Sequence, residues 1–193
     1  MRKYSATNRD YTLFKQELNN NHEKYPWIKG ELELLESFVV KTDRETALQQ
    51  VIMINKKYST HLSFGKSKMP DESEVLSDFI ISDSFLTRID TKDVKVAVAL
   101  VNDFREAAQK RGRDLLSFVS KYCHHCNPNM FPIYDSINVK YLKDHYSYTD
   151  ERDYEKYVES YLLFCKSIDV DLEHTTDKAE GFWVDKFINN IEK

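Results

Sequence analysis

An all-α fold follows from three observations. Apolar residues recur at helical spacing over 94–108, where Val94, Ala97, Val98, Val101, Phe104 and Ala108 fall on one face, and again over 115–126. The two long runs near the C-terminal end, 151–168 and 176–191, are equally far from the strict alternation of a half-buried strand. Only 4 Gly and 4 Pro leave too few turn formers for an all-β sandwich. A chain of 193 residues suits one large domain or two small lobes, and at that length it should bury roughly 70% of its unfolded surface.

Taken in order, the elements begin with short helical patterns at 8–20 and 30–41, separated by Tyr25-Pro26-Trp27 and Gly30. Thr42 and Glu45 stand at capping-box spacing, opening a helix with Ala47, Leu48, Val51 and Ile52 on one face and an end near Tyr58 to Thr60. Residues 61–70 read as a loop and as the best linker candidate. Asp71 and Glu74 repeat the capping spacing for a helix to about Ser82. The strongest helix spans Thr91 to Lys110, with Gly112 as its stop and Asp114 as a cap for 115–126. A loop over Asn127–Tyr134 leads to a helix from Ser136 to about His145. A helix over 151–168 and a terminal helix over 176–191, anchored by Trp183 and Phe187, complete the pattern.

Composition narrows the function classes. No window of 18 apolar residues exists to cross a bilayer, and Met1-Arg-Lys-Tyr-Ser5 is followed by polar sequence, so neither a membrane span nor a signal peptide is expected. A cytoplasmic setting is the expectation, and 3 Cys do not make a disulfide framework. The net charge of -4 is unevenly spread: Asp144 to Lys193 holds 13 acidic against 6 basic residues. Between Arg105 and Lys121 the balance is locally basic, with Arg105, Lys110, Arg111, Arg113 and Lys121 set against Glu106 and Asp114. That stretch reads either as a solvated helix end or as a place to meet a phosphate backbone.

The segment from Asn127 to Leu142 carries the main pointer to chemistry. It joins two amphipathic helices through a Pro-stiffened aromatic loop and sets Asp135 at the start of the second. Asp135 reads as an N-cap, as a catalytic acid, or as both, because accepting amide protons and holding a negative charge are compatible. Tyr134 could stack on a base or simply pack. Cys123-His-His-Cys126 has metal-ligand residue types, but both thiols belong to the apolar stripe of Phe118, Val119 and Tyr122 and read as buried side chains. His125 reads as a polar-face residue. No metal and no cofactor are expected. Phosphate-loop, dinucleotide, nucleophile-elbow and His-Glu-x-x-His motifs are missing. The carboxylates at 150–153 and 169–171 fit helix-end capping.

Phe131, Pro132, Asp135, Val139, Lys140 and Leu142, with Gly112 upstream, resemble the second half of the helix-hairpin-helix DNA glycosylases over roughly residues 91–145. Residues 55–60, 117–123 and 131–136 also resemble bacterial proteins of unassigned function on the same scaffold. The resemblance implies a two-lobed orthogonal helical bundle, one lobe built from about 1–60 plus the C-terminal helices and the other from about 71–150. It implies that Asp135 stabilises a cationic sugar as a base departs, with Tyr134, Ser136, Arg111 and Arg113 as ligand-binding residues. The chain departs from the family at two points. Arg111-Gly112-Arg113 has one hairpin glycine where the family has two, and Asp114 stands where lyase members carry a nucleophilic lysine, which excludes a Schiff base there. Lys121, at i+4 from Ser117 on the more polar side of its helix, either lines the site or is a surface or salt-bridging lysine. Two functions follow as expectations. One is DNA or nucleotide binding near Asp135 with base-excision chemistry; the other is a non-catalytic interaction module holding a protein partner through its acidic C-terminal third.

Overall fold

The computed structural model describes residues 6–21, 24–38, 43–58, 60, 62, 72–109, 114–149 and 152–192. Among these the secondary structure is helical throughout, with ten helices and no strand. They are α1 (Asn8–Asn20), α2 (Pro26–Ser37), α3 (Arg44–Tyr58), α4 (Glu72–Ile80), α5 (Asp83–Leu86), α6 (Val94–Ala108), α7 (Leu116–Cys126), α8 (Ser136–His145), α9 (Tyr154–Ser167) and α10 (Glu180–Ile191).

Most boundaries follow local chemistry. Thr7 and Asp10 form a reciprocal capping box at α1, Asp93 caps α6 by accepting from Lys95 N at 2.8 Å, and Asp153 caps α9. Those two Asp caps start their helices later than the expected 91 and 151. Asp114 accepts from Leu116 N at 3.1 Å, as its position suggested. Three expectations need correction. First, α2 begins at Pro26 and runs through Gly30. Proline suits the first helical position because its missing N–H needs no partner there, and Gly30 faces open space, so the helix is not interrupted. Second, the helix expected to reach Ser82 ends at Ile80, because the Ser82 hydroxyl accepts from Phe85 N and starts α5. Third, α10 starts at Glu180 rather than 176. Thr42, Asp71, Gly112, Arg111 and Arg113 lie outside the described residues. Asp43 is described, and its Oδ1 accepts from Thr46 N at 2.8 Å.

Buried residues from α1 to α10 form one continuous apolar cluster. Helix α7 sits at its centre, against α2, α3 and α6, while α9 packs on α6 and α8. Helix α10 bridges α8 and α1. The C-terminal helices therefore rest on the 91–145 region as their apolar stripes required. Aromatic rings fill much of this core. Tyr122 meets Phe38, Phe85 and Phe104 edge-on at 5.0, 5.9 and 6.0 Å, and Phe164 joins Tyr141 to Phe187. No described helix is long and apolar enough to cross a membrane.

Candidate functional site

The loop from Asn127 to Asp135 makes a turn over 128–130 and then continues without helix or strand, so most of its backbone groups need partners from elsewhere. Buried side chains supply them. Phe131 O accepts from His124 Nδ1 at 2.8 Å, Pro132 O from the Tyr154 hydroxyl at 2.9 Å, and Ile133 O from both Tyr157 and Asn138. Tyr134 N donates to Ser120 Oγ at 3.0 Å. At the far end of the loop, Asn127 Nδ2 donates to the carbonyls of Ile89 and Thr91, and Asn129 bonds Gly181 N and Asp177 O. Four helices, α7 to α10, and the turn after α5 thus hold one loop in place.

The loop delivers Asp135 to the N-terminus of α8. Asp135 Oδ1 accepts from Ile137 N at 3.0 Å and Asn138 N at 2.9 Å, and among the described residues both hydrogen bonds fall on that one oxygen. The same side chain lines a cleft of about 480 Å³ together with Ser117, Tyr134, Ser136, Val139, Lys140, Lys143, Asp144 and Arg152. The cap and cleft readings of Asp135 therefore hold together. Burial, then the neighbouring Asp185, push the carboxyl above the ordinary carboxylate range, against the cap amides and Lys121. Tyr134 packs edge-on against Tyr157 at 5.0 Å while bordering the cleft.

Lys121 is not a surface lysine, and its ammonium makes no ion pair among the described residues. It is 5% exposed, donates to Ser117 Oγ at 2.6 Å, and stands 5.6 Å from the Tyr58 ring centre. Burial pushes its pKa below the lysine range even though Asp135 and Asp185 favour the charge. His125 is also buried, contrary to its polar-face reading. Its Nδ1 faces Lys121 O at 2.9 Å, so that nitrogen carries the proton and Nε2 accepts from the Tyr58 hydroxyl at 3.2 Å. Both α7 histidines are driven down to about 3, chiefly by burial. Cys123 is fully buried as expected, whereas Cys126 is only half-buried and borders a second cavity. Burial raises both thiols well above the usual range.

Behind the cleft lies an ionic chain that pattern reading missed. Asn138 Nδ2 donates to Asp185 Oδ1 at 2.6 Å, Asp185 Oδ2 lies 3.4 Å from Lys186 Nζ, and Lys186 bonds Glu31 Oε2 at 2.9 Å. Glu31 is also paired with Lys57 at 3.2 Å. Burial opposes the charge on Glu31, but the two lysines outweigh it and hold the carboxyl below its usual value. Lys186 stays above the lysine range because Asp185 and Glu31 outweigh its burial. The available signal was an acid and a base inside the otherwise apolar run Phe182–Ile188. Asp114 receives a two-pronged contact from Arg105 at 2.8 and 2.7 Å and a third bond from Arg152 at 2.9 Å. It thereby fixes Arg152 at the edge of the cleft.

Asp171, Glu173 and His174 bring one ligand atom each within 4.8 Å of one another on the surface. Asp171 Oδ1 accepts from Glu173 N and His174 N, so this group is also the cap of a turn.

The family model HI_0787_N, described as an N-terminal domain, matches residues 9–130. That range covers α1 to α7, with Ser117 and Lys121, and stops short of Asp135. No curated protein and no solved structure matches the chain. With more than half of its length inside the match, the chain belongs to the HI_0787_N family.

Proposed function

We propose that this chain binds DNA and accepts a single nucleotide in the Asp135 cleft, acting as a monofunctional N-glycosylase-like hydrolase. The observation that carries this reading is the double placement of Asp135, which caps α8 with Oδ1 while bordering a nucleotide-sized cleft rimmed by Lys140, Lys143 and Arg152. Breaking the bond between base and sugar develops positive charge on the sugar. A carboxylate held rigidly at a helix N-terminus stabilises that charge without having to reorganise. A base must leave the stack to reach such a site, and Tyr134 offers it a ring face. The three cations would take the role that the missing hairpin glycine leaves open, meeting phosphates by side chain.

The test separates the cap from the charge. Asn caps nearly as well as Asp but brings no negative charge. Asp135→Asn should therefore keep its stability within about 1 kcal/mol of wild type and lose release of bases from a panel of damaged-base duplexes. Binding to these duplexes should weaken steeply with salt. Wild-type protein that neither binds DNA at low ionic strength nor differs from Asp135→Asn in any assay would refute the reading. A second reading, a non-catalytic module for a basic protein partner, draws on the exposed acids Asp169, Asp171 and Glu173. Loss of DNA binding even at low salt favours it.

A further inference from the structure

We infer that Ser117, which lines the Asp135 cleft, and Lys121 behind it form a proton-donating pair that protonates the departing base, an inference that rests on the glycosylase-like reading above. An ammonium only donates, so Ser117 Oγ accepts the 2.6 Å bond from Lys121 Nζ. The serine's own hydrogen is then directed to another acceptor, and Ser117 borders the cleft beside Asp135. The lysine behind it is enclosed, and among the described residues no carboxylate lies within 4.0 Å of its Nζ.

The charges that face Lys121 are Asp135 at the start of α8 and Asp185 and Lys186 in α10. Tyr58 of α3 presents its ring, and His125 of the same helix bonds the Lys121 carbonyl. Two carboxylates keep a proton on the amine, while burial and Lys186 make that proton easy to give up. Burial thus loosens the amine's hold on its proton, the direction that a proton donor requires.

The step balances as follows. The Ser117 hydroxyl proton passes to the base nitrogen as the bond from sugar carbon to base breaks, and the bonding pair goes to the base. A proton from Lys121 Nζ replaces it on Ser117, leaving a neutral amine, while Asp135 faces the cationic sugar. Water then adds to the sugar carbon, and its proton returns to Lys121 through Ser117. One water is consumed; a free base and a sugar hydroxyl result.

Acid catalysis matters most for a poor leaving group, which gives the test its contrast. Duplexes carrying deoxyuridine or 5-fluorodeoxyuridine differ in how well the departing base bears negative charge. Ser117→Ala and Lys121→Gln should slow uracil release by about 100-fold and 5-fluorouracil release by far less, whereas Asp135→Asn should slow both. Equal slowing of the two bases in Ser117→Ala, or none, overturns the pair. Should wild-type protein release neither base, the glycosylase-like reading is judged by the damaged-base panel above and the pair by nitrogen NMR of Lys121 titrated with and without dUMP. Binding of dUMP should shift the Lys121 midpoint by about half a pH unit or more in wild type and in Ser117→Thr, and not in Ser117→Ala. An unchanged midpoint in wild type, or an equal shift in Ser117→Ala, overturns it.

Discussion

Asn138 Nδ2 donates to Asp185 Oδ1 at 2.6 Å where α8 meets α10, and both residues are enclosed. The same amide nitrogen donates to Ile133 O at 3.0 Å, and the Asn138 main-chain N donates to Asp135. One residue therefore joins the aromatic loop, the cap of α8 and a buried carboxylate on α10. From Asp185 the chain of charge continues through Lys186 to Glu31 on α2. Regions far apart in sequence are held together behind the cleft by groups that cannot be removed singly.

Replacing Asn138 by Leu keeps most of the volume and deletes the donors. Asp185 then loses its hydrogen-bond donor in the interior, and an underpartnered buried charge is costly. We expect destabilisation of about 3 kcal/mol, read from urea midpoints. A change below about 1 kcal/mol would mean that the carboxylate finds water or another donor.

The fold class was legible in the sequence because helical periodicity is a local signal, and α1, α7 and α8 were placed to within a residue for that reason. Asp135 was legible too, since an acid after a Pro-containing loop and before an apolar helix pattern marks a helix start. Burial of polar residues is a different kind of information. Lys121 and His125 both look like polar-face residues of α7, yet Tyr58 of α3 packs against both and Phe38 against His125, a fact fixed by contacts 67 residues apart in the Tyr58–His125 pair. The same holds for Glu31, which reads as an ordinary helix surface residue until Lys186 is placed against it. Gly30 misled for the opposite reason: a residue that permits a turn does not require one.

Acid should destabilise this protein well above the range where carboxylates titrate. His124 and His125 are held near 3 in the folded chain, against about 6.5 when unfolded, so the unfolded state binds more protons throughout that window. Their neutral form stabilises the fold above the unfolded pKa, and that contribution falls as pH drops from about 6.5 towards 3. The slope is about 1.4 kcal/mol per pH unit for each histidine. Glu31, whose carboxyl is depressed, adds to the loss at the acid end. Urea midpoints measured between pH 7 and pH 5 should fall, and His125→Gln should flatten the curve by roughly half. A pH-independent midpoint in wild type would show that the rings are not buried neutral.

Removing residues 176–193 should unfold the chain or send it into aggregates. Phe182, Trp183, Val184, Phe187 and Ile188 are all buried, and α10 covers parts of both α1 and α8. At about 25 cal/mol per Å² of apolar surface, exposing that face outweighs the few kcal/mol of net stability that a domain possesses. A soluble truncated protein with unchanged melting temperature would be incompatible with this packing.

A close backbone approach ties α10 directly to the loop that carries Asp135. A Cβ placed on Gly181 would lie 2.0 Å from Pro128 O and 2.6 Å from Pro128 C, and Gly181 N donates to Asn129 Oδ1 at 2.8 Å. In an exposed helix interior, replacing Gly by Ala stabilises by about 0.5–1 kcal/mol. Here the sign should reverse, because the obstructing atoms are backbone and cannot rotate away. Gly181→Ala should cost about 2 kcal/mol or more and shift the loop over 127–135, moving the amide signals of Tyr134, Asp135 and Ser136 in NMR spectra. Gly30→Ala provides the control, since nothing lies within 4 Å of a Cβ there, and it should stabilise. If both substitutions stabilise the protein, α10 does not rest on the loop, and the support of the Asp135 cleft must come from elsewhere.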